Sequence, residues 1–301
     1  MSETAISITD LHFAYGRRKV LTGVNLDVPE GSVFGFLGRN GAGKTTTIQV
    51  LLGLLKPQAG NCRVGGHDPQ TDAVAVRQAV GYVAEDQRMY DWMRVEQIVQ
   101  WTSSFYPTWD KAYAQQLIKQ FDLPAKGKVG TLSKGQNTRL ALLLALAHRP
   151  KIVILDDPTL GLDPIARKEF LRSVITLLQA EGTTVFFSSH LLYEIEPVAD
   201  RIAILDQGRI VKAAATDELR DTVRRFVLRP KAAMDLAKVP GLLDAVHRDG
   251  QWNVTVESPD KAARDALTAA AGDDVEETGL NLDEIFEAYV IGNRGREVMP
   301  C

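Results

Sequence analysis

The feature that most constrains this chain is a glycine-rich loop, Gly38–Thr45, which lies between an apolar segment and a helical one. Its sequence, Gly-Arg-Asn-Gly-Ala-Gly-Lys-Thr, fits the pattern G-x-x-x-x-G-K-[ST] in full. The apolar run Val33–Leu37 before it is typical of a strand buried on both faces. Thr45–Leu55 after it has apolar residues at helical spacing. This order of strand, loop and helix predicts a phosphate-binding loop.

The chemistry of such a loop assigns a role to each part of it. The glycines let backbone N–H groups curl around phosphate oxygens, and the helix N-terminus adds its free amides and its dipole. Lys44 would place its charge on the β- and γ-phosphates, and the hydroxyl of Thr45 would reach Mg²⁺. We therefore expect a nucleoside triphosphate with Mg²⁺ as the ligand, with contacts from Gly38, Asn40, Gly41, Ala42, Gly43, Lys44, Thr45 and Thr46.

A second apolar strand, Ile152–Leu155, ends in the carboxylate of Asp156. Alone the pattern is weak, because many buried strands end in aspartate. Beside a phosphate-binding loop, an acid in this place is expected to hold the metal ion or its water. Asp156 and Thr45 are thus predicted metal ligands.

The remaining periodicity predicts an α/β protein with an appendage. Period-two alternation at Ile6–Ile8 and Val24–Val28 predicts half-buried, antiparallel strands near the N-terminus. Residues 91–148 are mostly helical in pattern, and strands then alternate with helices to Leu205, which predicts a mostly parallel sheet. Beyond Leu219 a small α+β region is predicted, with strands at 226–228 and 252–256 and helices at 261–271 and 282–290.

Composition narrows the function classes. The formal net charge is −3 and the pI is about 6.0, whereas nucleic-acid binders usually have a basic surplus. The two cysteines, Cys62 and Cys301, indicate neither a disulfide framework nor a metal site, so we expect a reducing compartment. The N-terminus shows no pattern of a secretion signal, and the longest apolar run, Leu140–Ala147, falls short of the ~20 residues that span a bilayer. Any membrane role is expected to come through a partner.

The segment before the Asp156 strand specifies the kind of nucleotide site. Leu132–Gln136 reads Leu-Ser-Lys-Gly-Gln and resembles the LSGGQ signature of ATP-binding-cassette (ABC) ATPases, with Lys134 in place of a glycine. Tyr15 lies where that family stacks an aromatic ring on adenine, Gly161–Asp163 resembles its D-loop, and His190 resembles its switch histidine. The resemblance covers about residues 4–220.

This resemblance implies a fold and a domain plan. The expected fold is an α/β, ABC-type P-loop ATPase, with a mostly parallel sheet, an antiparallel N-terminal β-subdomain and a helical subdomain at about 87–150. It would occupy residues 1–220, and residues 221–301 would form a small C-terminal α+β domain.

The resemblance also implies a mechanism. Two copies would close head to tail as a homodimer, with each ATP held between the phosphate loop of one copy and the signature of the other. Ser133, Gly135 and Gln136 would contact the nucleotide across the interface, together with Asp163. His190 would orient the attacking water, so the catalytic residues would be Lys44, His190 and the acid after Asp156.

Within the family, the sequence is most similar to the nucleotide-binding subunits of ABC-2-type exporters, on the Leu-Ser-Lys-Gly-Gln variant, Phe105–Pro107, Trp109–Asp110 and a short C-terminal appendage. This likeness implies a separate transmembrane permease and a peripheral place at the inner, cytoplasmic face of the membrane. The alternative is a cassette ATPase that drives no transport, such as one for iron–sulfur assembly, cell division or DNA repair. A translation-factor cassette is disfavoured, because those are tandem and this chain has one phosphate loop.

Three residues depart from the family pattern. Asp157 stands where the general base is usually Glu, and we expect it to remain the base with slower hydrolysis, the alternative being that it only orients another group. Glu85 stands where the family has a glutamine that contacts Mg²⁺, and Gln87 is the alternative for that role. Lys134 is expected to point away from the nucleotide.

The aromatic residues between the Q-loop and the signature allow two interpretations. Five of them are expected to be packing anchors of the helical subdomain: Trp92, Trp101, Phe105, Tyr106 and Trp109. The stretch Met89–Met93 beside the Q-loop is either the surface that meets the membrane subunit or an ordinary packed part of this subdomain.

Overall fold

The structure, a computed structural model, describes residues 3–159, 164–190, 192–229, 236, 239–248, 250–271 and 274–292. The chain divides into two compact units, residues 1–210 and 211–301. The division falls ten residues before the 220/221 boundary expected from the sequence. A contact of Lys212 is consistent with the earlier boundary. Its Nζ donates at 2.6 Å to Oε1 of Glu257, a residue of the second unit.

The first unit contains nine strands and seven helices in its described residues. In chain order they are β1 (Thr4–Tyr15), β2 (Arg18–Pro29), β3 (Val33–Leu37), α1 (Lys44–Leu51), β4 (Ala59–Val64), α2 (Ala73–Ala79), β5 (Val80–Val83), α3 (Val95–Ser103), α4 (Lys111–Gln120), α5 (Lys134–Leu146), β6 (Ile152–Asp156), α6 (Pro164–Ala180), β7 (Thr184–Ser189), α7 (Leu192–Ile195), β8 (Arg201–Asp206) and β9 (Arg209–Ala215), the last of which ends in the second unit.

A three-stranded antiparallel sheet in the order β2-β1-β4 opens the chain, as the alternation predicts. The β1–β2 hairpin has a two-residue turn, because Tyr15 pairs with Arg18 and leaves only Gly16 and Arg17 between them. Gly16 has a φ of 59°, a conformation that tight hairpin turns require and that glycine adopts without steric cost. The hairpin end therefore presents Tyr15 and Arg18 as neighbours.

The second sheet has six strands in the order β5-β6-β7-β3-β8-β9, and β5, β6, β7, β3 and β8 pair in parallel. All residues of β3 and β6 are buried, as their continuous apolar sequences predict. Because the carboxyl ends of parallel strands meet at one edge of a sheet, the loops that follow β3, β6 and β7 lie together. This edge carries the candidate site.

Helix α5 is the buried apolar helix that the sequence predicts, and it begins directly after Ser133. Helix α7 is shorter than the predicted span of 190–198, because His190 lies in a bend after β7 and residues 196–198 form a turn. None of the helices in the described ranges is long and apolar enough to cross a membrane.

The remaining elements belong to the second unit. They are α8 (Thr216–Thr222), β10 (Val223–Leu228), β11 (Leu242–Arg248), β12 (Gln251–Glu257), α9 (Lys261–Ala271), β13 (Val275–Gly279) and α10 (Leu282–Val290). The strands form a four-stranded antiparallel sheet in the order β11-β12-β10-β13. The core is built from one face of this sheet and from helix α9, with Phe226, Val254, Val256 and Leu267 buried. Helices α9 and α10 have the predicted bounds, whereas β11 and β13 were not predicted.

Candidate functional site

Two positions of the loop between β3 and α1 favour glycine, one for its backbone conformation and both because a Cβ would meet a neighbouring atom. Gly43 has a φ of 114°, and a Cβ there would lie 2.7 Å from Cδ2 of Leu21. A Cβ on Gly38 would lie 2.6 Å from the carbonyl oxygen of Leu205. The sequence therefore folds into a tight loop whose last residue leads directly into the N-terminus of α1, where free amides attract an anion.

Lys44 is the first residue of α1 and is buried at this loop. Its Nζ donates to the carbonyl oxygen of Gly38 at 2.8 Å, so the lysine spans its own loop. Burial lowers the pKa of Lys44, and the nearby carboxylates of Asp157, Asp156 and Glu85 act in the opposite direction. Lys44 is thus surrounded by carboxylates. An incoming phosphate would have to replace only the carbonyl oxygen of Gly38 as the acceptor of its hydrogen bond.

Asp156 ends β6 and is buried beside this lysine. Its Oδ1 accepts from Oγ of Ser188 at 2.6 Å, and the hydroxyl of Thr45 is close enough to favour the charged form of the carboxyl. Its Oδ2 is buried without a hydrogen-bond partner. Burial raises the pKa of this carboxyl. The two predicted metal ligands thus lie together, with one carboxylate oxygen unused.

Asp157 follows in the left-handed region, at a φ of 45°. Its amide donates to the carbonyl oxygen of Ser188 at 3.1 Å and lies 3.2 Å from the Oγ of the same residue. Oδ2 of Asp157 lies 2.7 Å from Nδ1 of His190, and its Oδ1 is buried without a hydrogen-bond partner. The aspartate and the histidine therefore form a connected acid–base pair beside Asp156.

A cavity of about 300 Å³ joins Lys44, Asp156 and Asp157, whereas His190 does not line it. It is lined by Tyr15, Arg18, Val20, Asn40, Gly41, Gly43, Lys44, Thr45, Thr46, Glu85, Asp156 and Asp157. Of the two alternatives in the Q-loop, Glu85 lies on this cavity, whereas Gln87 lies on a different one. Gly38 and Ala42 belong to the loop but do not line the cavity, and the amide of Ala42 donates to the carbonyl oxygen of Arg39 at 3.0 Å.

The signature residues lie elsewhere on the chain, since Ser133, Gly135 and Gln136 are absent from the cavity lining. Ser133 caps α5: its Oγ accepts from the amide of Gln136 at 3.2 Å, and Oε1 of Gln136 accepts from the amide of Ser133 at 3.0 Å. The side chain of Gln136 is thus engaged in this capping box, whereas the hydroxyl proton of Ser133 is left for another acceptor. Asp163 lies outside the described residues.

Three residues of this region were missed by sequence reasoning. Arg18 and Val20 line the cavity, and Ser188 contacts the carboxylate of Asp156 and the amide of Asp157. A signal for Arg18 existed, because a two-residue hairpin turn places it opposite Tyr15. Ser188 had none, because its neighbour in the sheet depends on the pairing of β6 with β7.

The residues present fit a magnesium ion that arrives with a nucleotide. Within the described ranges, no group of three or more His, Cys, Asp or Glu side chains could hold a metal ion by itself. Mg²⁺ in phosphate-transfer sites is usually bound by one or two carboxylates together with phosphate oxygens and water. The unpartnered Oδ2 of Asp156 beside the hydroxyl of Thr45 matches that requirement.

A second cavity of about 500 Å³, which we call the side groove, lies beside the Q-loop. Its lining includes Leu54, Tyr82, Gln87, Met89 and Tyr106. Four aromatic side chains close to it in sequence are 43–68% exposed and three pairs of them are in ring contact: Tyr90, Trp92, Trp101 and Phe105. The expectation that Trp92, Trp101 and Phe105 are packing anchors of the helical subdomain is thus corrected by their exposure.

Comparison with known proteins identifies the family. Residues 21–160 match the ABC transporter family. The chain is 31% identical to the bacitracin transport ATP-binding protein of Bacillus licheniformis and 34% identical to a daunorubicin resistance ATP-binding protein of Streptomyces coeruleorubidus, in both cases over 95% of this chain and 96% of the relative.

Solved structures agree with this result. An ATP-binding subunit of an ABC transporter superposes with a TM-score of 0.66 at 27% identity, over 72% of this chain and 92% of that one. The ATP-binding cassette MJ0796, whose dimer was solved with ADP and Pi, has a TM-score of 0.63 at 23% identity, over 70% of this chain and 98% of that one, and supports the fold. The chain belongs to the ABC transporter family, as an ATP-binding and ATP-hydrolysing subunit of the ABC-2 exporter type.

Proposed function

We propose that two copies of this chain close head to tail around two Mg-ATP molecules, and that this closure drives a separate membrane permease. One observation carries the proposal: the phosphate half of the site and the signature half are both present on the chain, yet Ser133, Gly135 and Gln136 do not line the cavity formed around Lys44. A second copy would supply the missing half. The exposed hydroxyl of Ser133, at the N-terminus of α5, is suited to donate to a phosphate oxygen.

The predicted catalytic and metal-binding residues each have a role in this proposal. Lys44 leaves the carbonyl oxygen of Gly38 for the phosphates, and Thr45 with Asp156 holds Mg²⁺, which would neutralise phosphate charge when bound. Glu85 adds a third oxygen ligand near the metal. Asp157 takes the proton of the attacking water, and His190 holds its carboxylate in place through the 2.7 Å contact.

A mixing experiment tests the shared site. Lys44→Ala and Ser133→Ala are each expected to lower ATP hydrolysis strongly. Mixing the two variants creates dimers with one intact composite site, because the phosphate loop of one copy meets the intact signature of the other. Half of the dimers in an equal mixture are mixed and each has one of two sites, so about a quarter of wild-type activity should return. A site contained within one chain would show no recovery.

The permease is proposed to bind at the side groove and its aromatic border. Large exposed aromatic and methionine side chains are enriched at protein interfaces, and here Trp92 is 68% and Phe105 55% exposed. The groove lies next to Glu85 in sequence, so a partner seated there would sense the nucleotide cavity through the Q-loop. Binding there would place the chain at the inner face of the membrane.

Trp92→Ala tests this surface, because so exposed a side chain contributes little to folding. We expect the variant to keep basal ATPase activity and lose co-purification with the membrane permease. Exposed Val74, outside the lining of the groove, provides the control Val74→Ala, which should retain the partner. Equal retention by both variants would place the permease elsewhere.

The cargo is proposed to be an amphipathic antibiotic-like compound, because the relatives carry bacitracin transport and daunorubicin resistance in their names. Co-expression of this chain with its permease should raise the tolerated concentration of such compounds, and the Lys44→Ala variant should not. A cassette that drives no transport would show no such difference.

A further inference from the structure

Ser188 is the last but one residue of β7 and is fully buried. In the parallel pairing of β6 with β7 it lies opposite Asp156. Its hydroxyl donates to Oδ1 of Asp156 at 2.6 Å. The hydroxyl oxygen of Ser188 also accepts from the amide of Asp157 at 3.2 Å. One side chain therefore touches the predicted metal ligand and the backbone of the predicted base.

The contact with Ser188 determines which oxygen of Asp156 is left without a hydrogen-bond partner. A carboxylate at the end of a strand can rotate about its terminal bond and present either oxygen. A short hydrogen bond to one oxygen removes this freedom, and Oδ2 is left buried with no hydrogen-bond partner. An oxygen in that condition is costly unless a ligand uses it. The hydroxyl therefore acts on Asp156 in the way that outer partners of metal ligands do, by fixing the orientation of the ligand.

We propose that Ser188 is a positioning residue for magnesium: its hydroxyl fixes Asp156 so that Oδ2 is the oxygen offered to the metal. The same serine keeps Asp157 in register through its backbone amide. This inference rests on the proposed function, in which Asp156 holds Mg²⁺. It assigns to β7 a part in metal binding separate from the histidine that follows it.

The test is the gain in nucleotide affinity that Mg²⁺ produces, measured with a fluorescent, non-hydrolysable ATP analogue in Mg²⁺ and in EDTA. In the wild type Mg²⁺ should strengthen binding. In Ser188→Ala the Mg²⁺ concentration that half-saturates this gain should rise about 10- to 100-fold, since that is the usual effect of losing an outer partner of a metal ligand. Affinity in EDTA should stay at the wild-type value.

Two further variants make the outcome specific. Ser188→Thr keeps the hydroxyl and should restore the magnesium response. Ser189→Ala removes the neighbouring buried serine, whose side chain points to the opposite face of β7, and should leave the response unchanged. Ser188→Cys keeps the size but weakens the donor, and it replaces the alanine variant if that one does not fold.

The possible failures are distinguishable. A wild-type protein whose nucleotide affinity is the same in Mg²⁺ and in EDTA would overturn the proposed metal site itself. A wild type that responds to Mg²⁺ beside a folded Ser188→Ala variant with the same half-saturating concentration would overturn the positioning role alone.

Discussion

The two halves of the nucleotide site differ in how their polar groups are satisfied. At the phosphate loop, Lys44, Asp156 and Asp157 are buried together, and one oxygen of each aspartate has no partner. At the signature, Ser133 and Gln136 satisfy each other in a capping box on an accessible surface.

This difference means that the two halves affect stability in opposite ways. Burying charged and unpartnered groups costs folding free energy, which a bound Mg-nucleotide would return. A capped helix N-terminus instead stabilises the fold with or without ligand. The phosphate end is thus a site prepared in advance, whereas the signature end is a stable surface that, in the proposed dimer, acquires a function only when another copy approaches it.

The largest expected effect is at the phosphate end. Asp157→Asn should lower the turnover of ATP by a factor of about 100 or more, because the amide cannot accept the proton of the attacking water. The variant should still bind ATP and accumulate as the ATP-bound dimer, which size-exclusion chromatography with light scattering would detect.

Asp157→Glu is the matched control for this change. It restores the longer carboxylate that the family usually has, so its turnover should equal or exceed that of the wild type. Normal hydrolysis by the asparagine variant would leave Asp157 as a residue that only orients others.

At the signature end, Ser133→Ala should lower both ATP hydrolysis and stability, the latter by about 1 kcal/mol through loss of the helix cap. Ser133→Asp separates the two roles, because aspartate is a good N-cap but would place a negative charge against the incoming phosphate. It should melt at or above the wild-type temperature and hydrolyse no ATP. Hydrolysis by the aspartate variant would mean that this cap does not meet the nucleotide.

The sequence predicts the site only where its parts are contiguous. The loop at Gly38–Thr45 and the strand before Asp156 are local patterns whose chemistry follows from their order along the chain, and the described structure has both. The role of Ser188 requires knowing that β7 pairs with β6 in one particular register, which is a long-range contact. The same limit applies to the choice between Glu85 and Gln87, since both are near the same strand end.

The second unit shows a related limit for the fold. Strand β10 alternates buried and accessible residues over Phe226–Leu228, whereas β12 buries Val254, Thr255 and Val256 in succession, and both strands were predicted in part. Strand β13 reads Val-Glu-Glu-Thr-Gly and lies at the edge of its sheet, where it buries too little to show an apolar pattern. Such strands form because neighbouring strands offer hydrogen bonds, which the sequence of the strand itself does not encode.

A smaller effect, opposite in sign to that at the signature, is expected from Asp156→Asn. Burial raises the pKa of Asp156 in the folded protein above its ordinary value, so stability falls as the pH rises from 3.8 to the folded pKa, and the full cost is present above it. At neutral pH and without nucleotide, the neutral amide should therefore stabilise the protein by about 0.5–2 kcal/mol in urea unfolding.

Below pH 3.8 this cost disappears, because the carboxyl is protonated in both states, and the stabilisation by Asp156→Asn should vanish. If the variant instead loses stability at neutral pH, the hydrogen bond from Ser188 and the influence of Thr45 outweigh the cost of burial. The contrast between the two halves would then be wrong.

The smallest expected effect comes from the rim of the phosphate end, where Arg18 lines the cavity from the exposed hairpin and Arg17 does not. The cavity lining otherwise contains one cation, Lys44, and three carboxylates, so a second cation would help to hold a triphosphate. Arg18→Ala should weaken ATP binding several-fold, or about 1 kcal/mol, and the difference should shrink as salt is added. Arg17→Ala removes the same charge one residue away and should leave affinity unchanged. Equal weakening of ATP binding by both variants would assign the effect to general attraction by the hairpin. If only Arg18→Ala weakens binding, and weakens ADP binding but not adenosine binding, the prepared site includes this arginine.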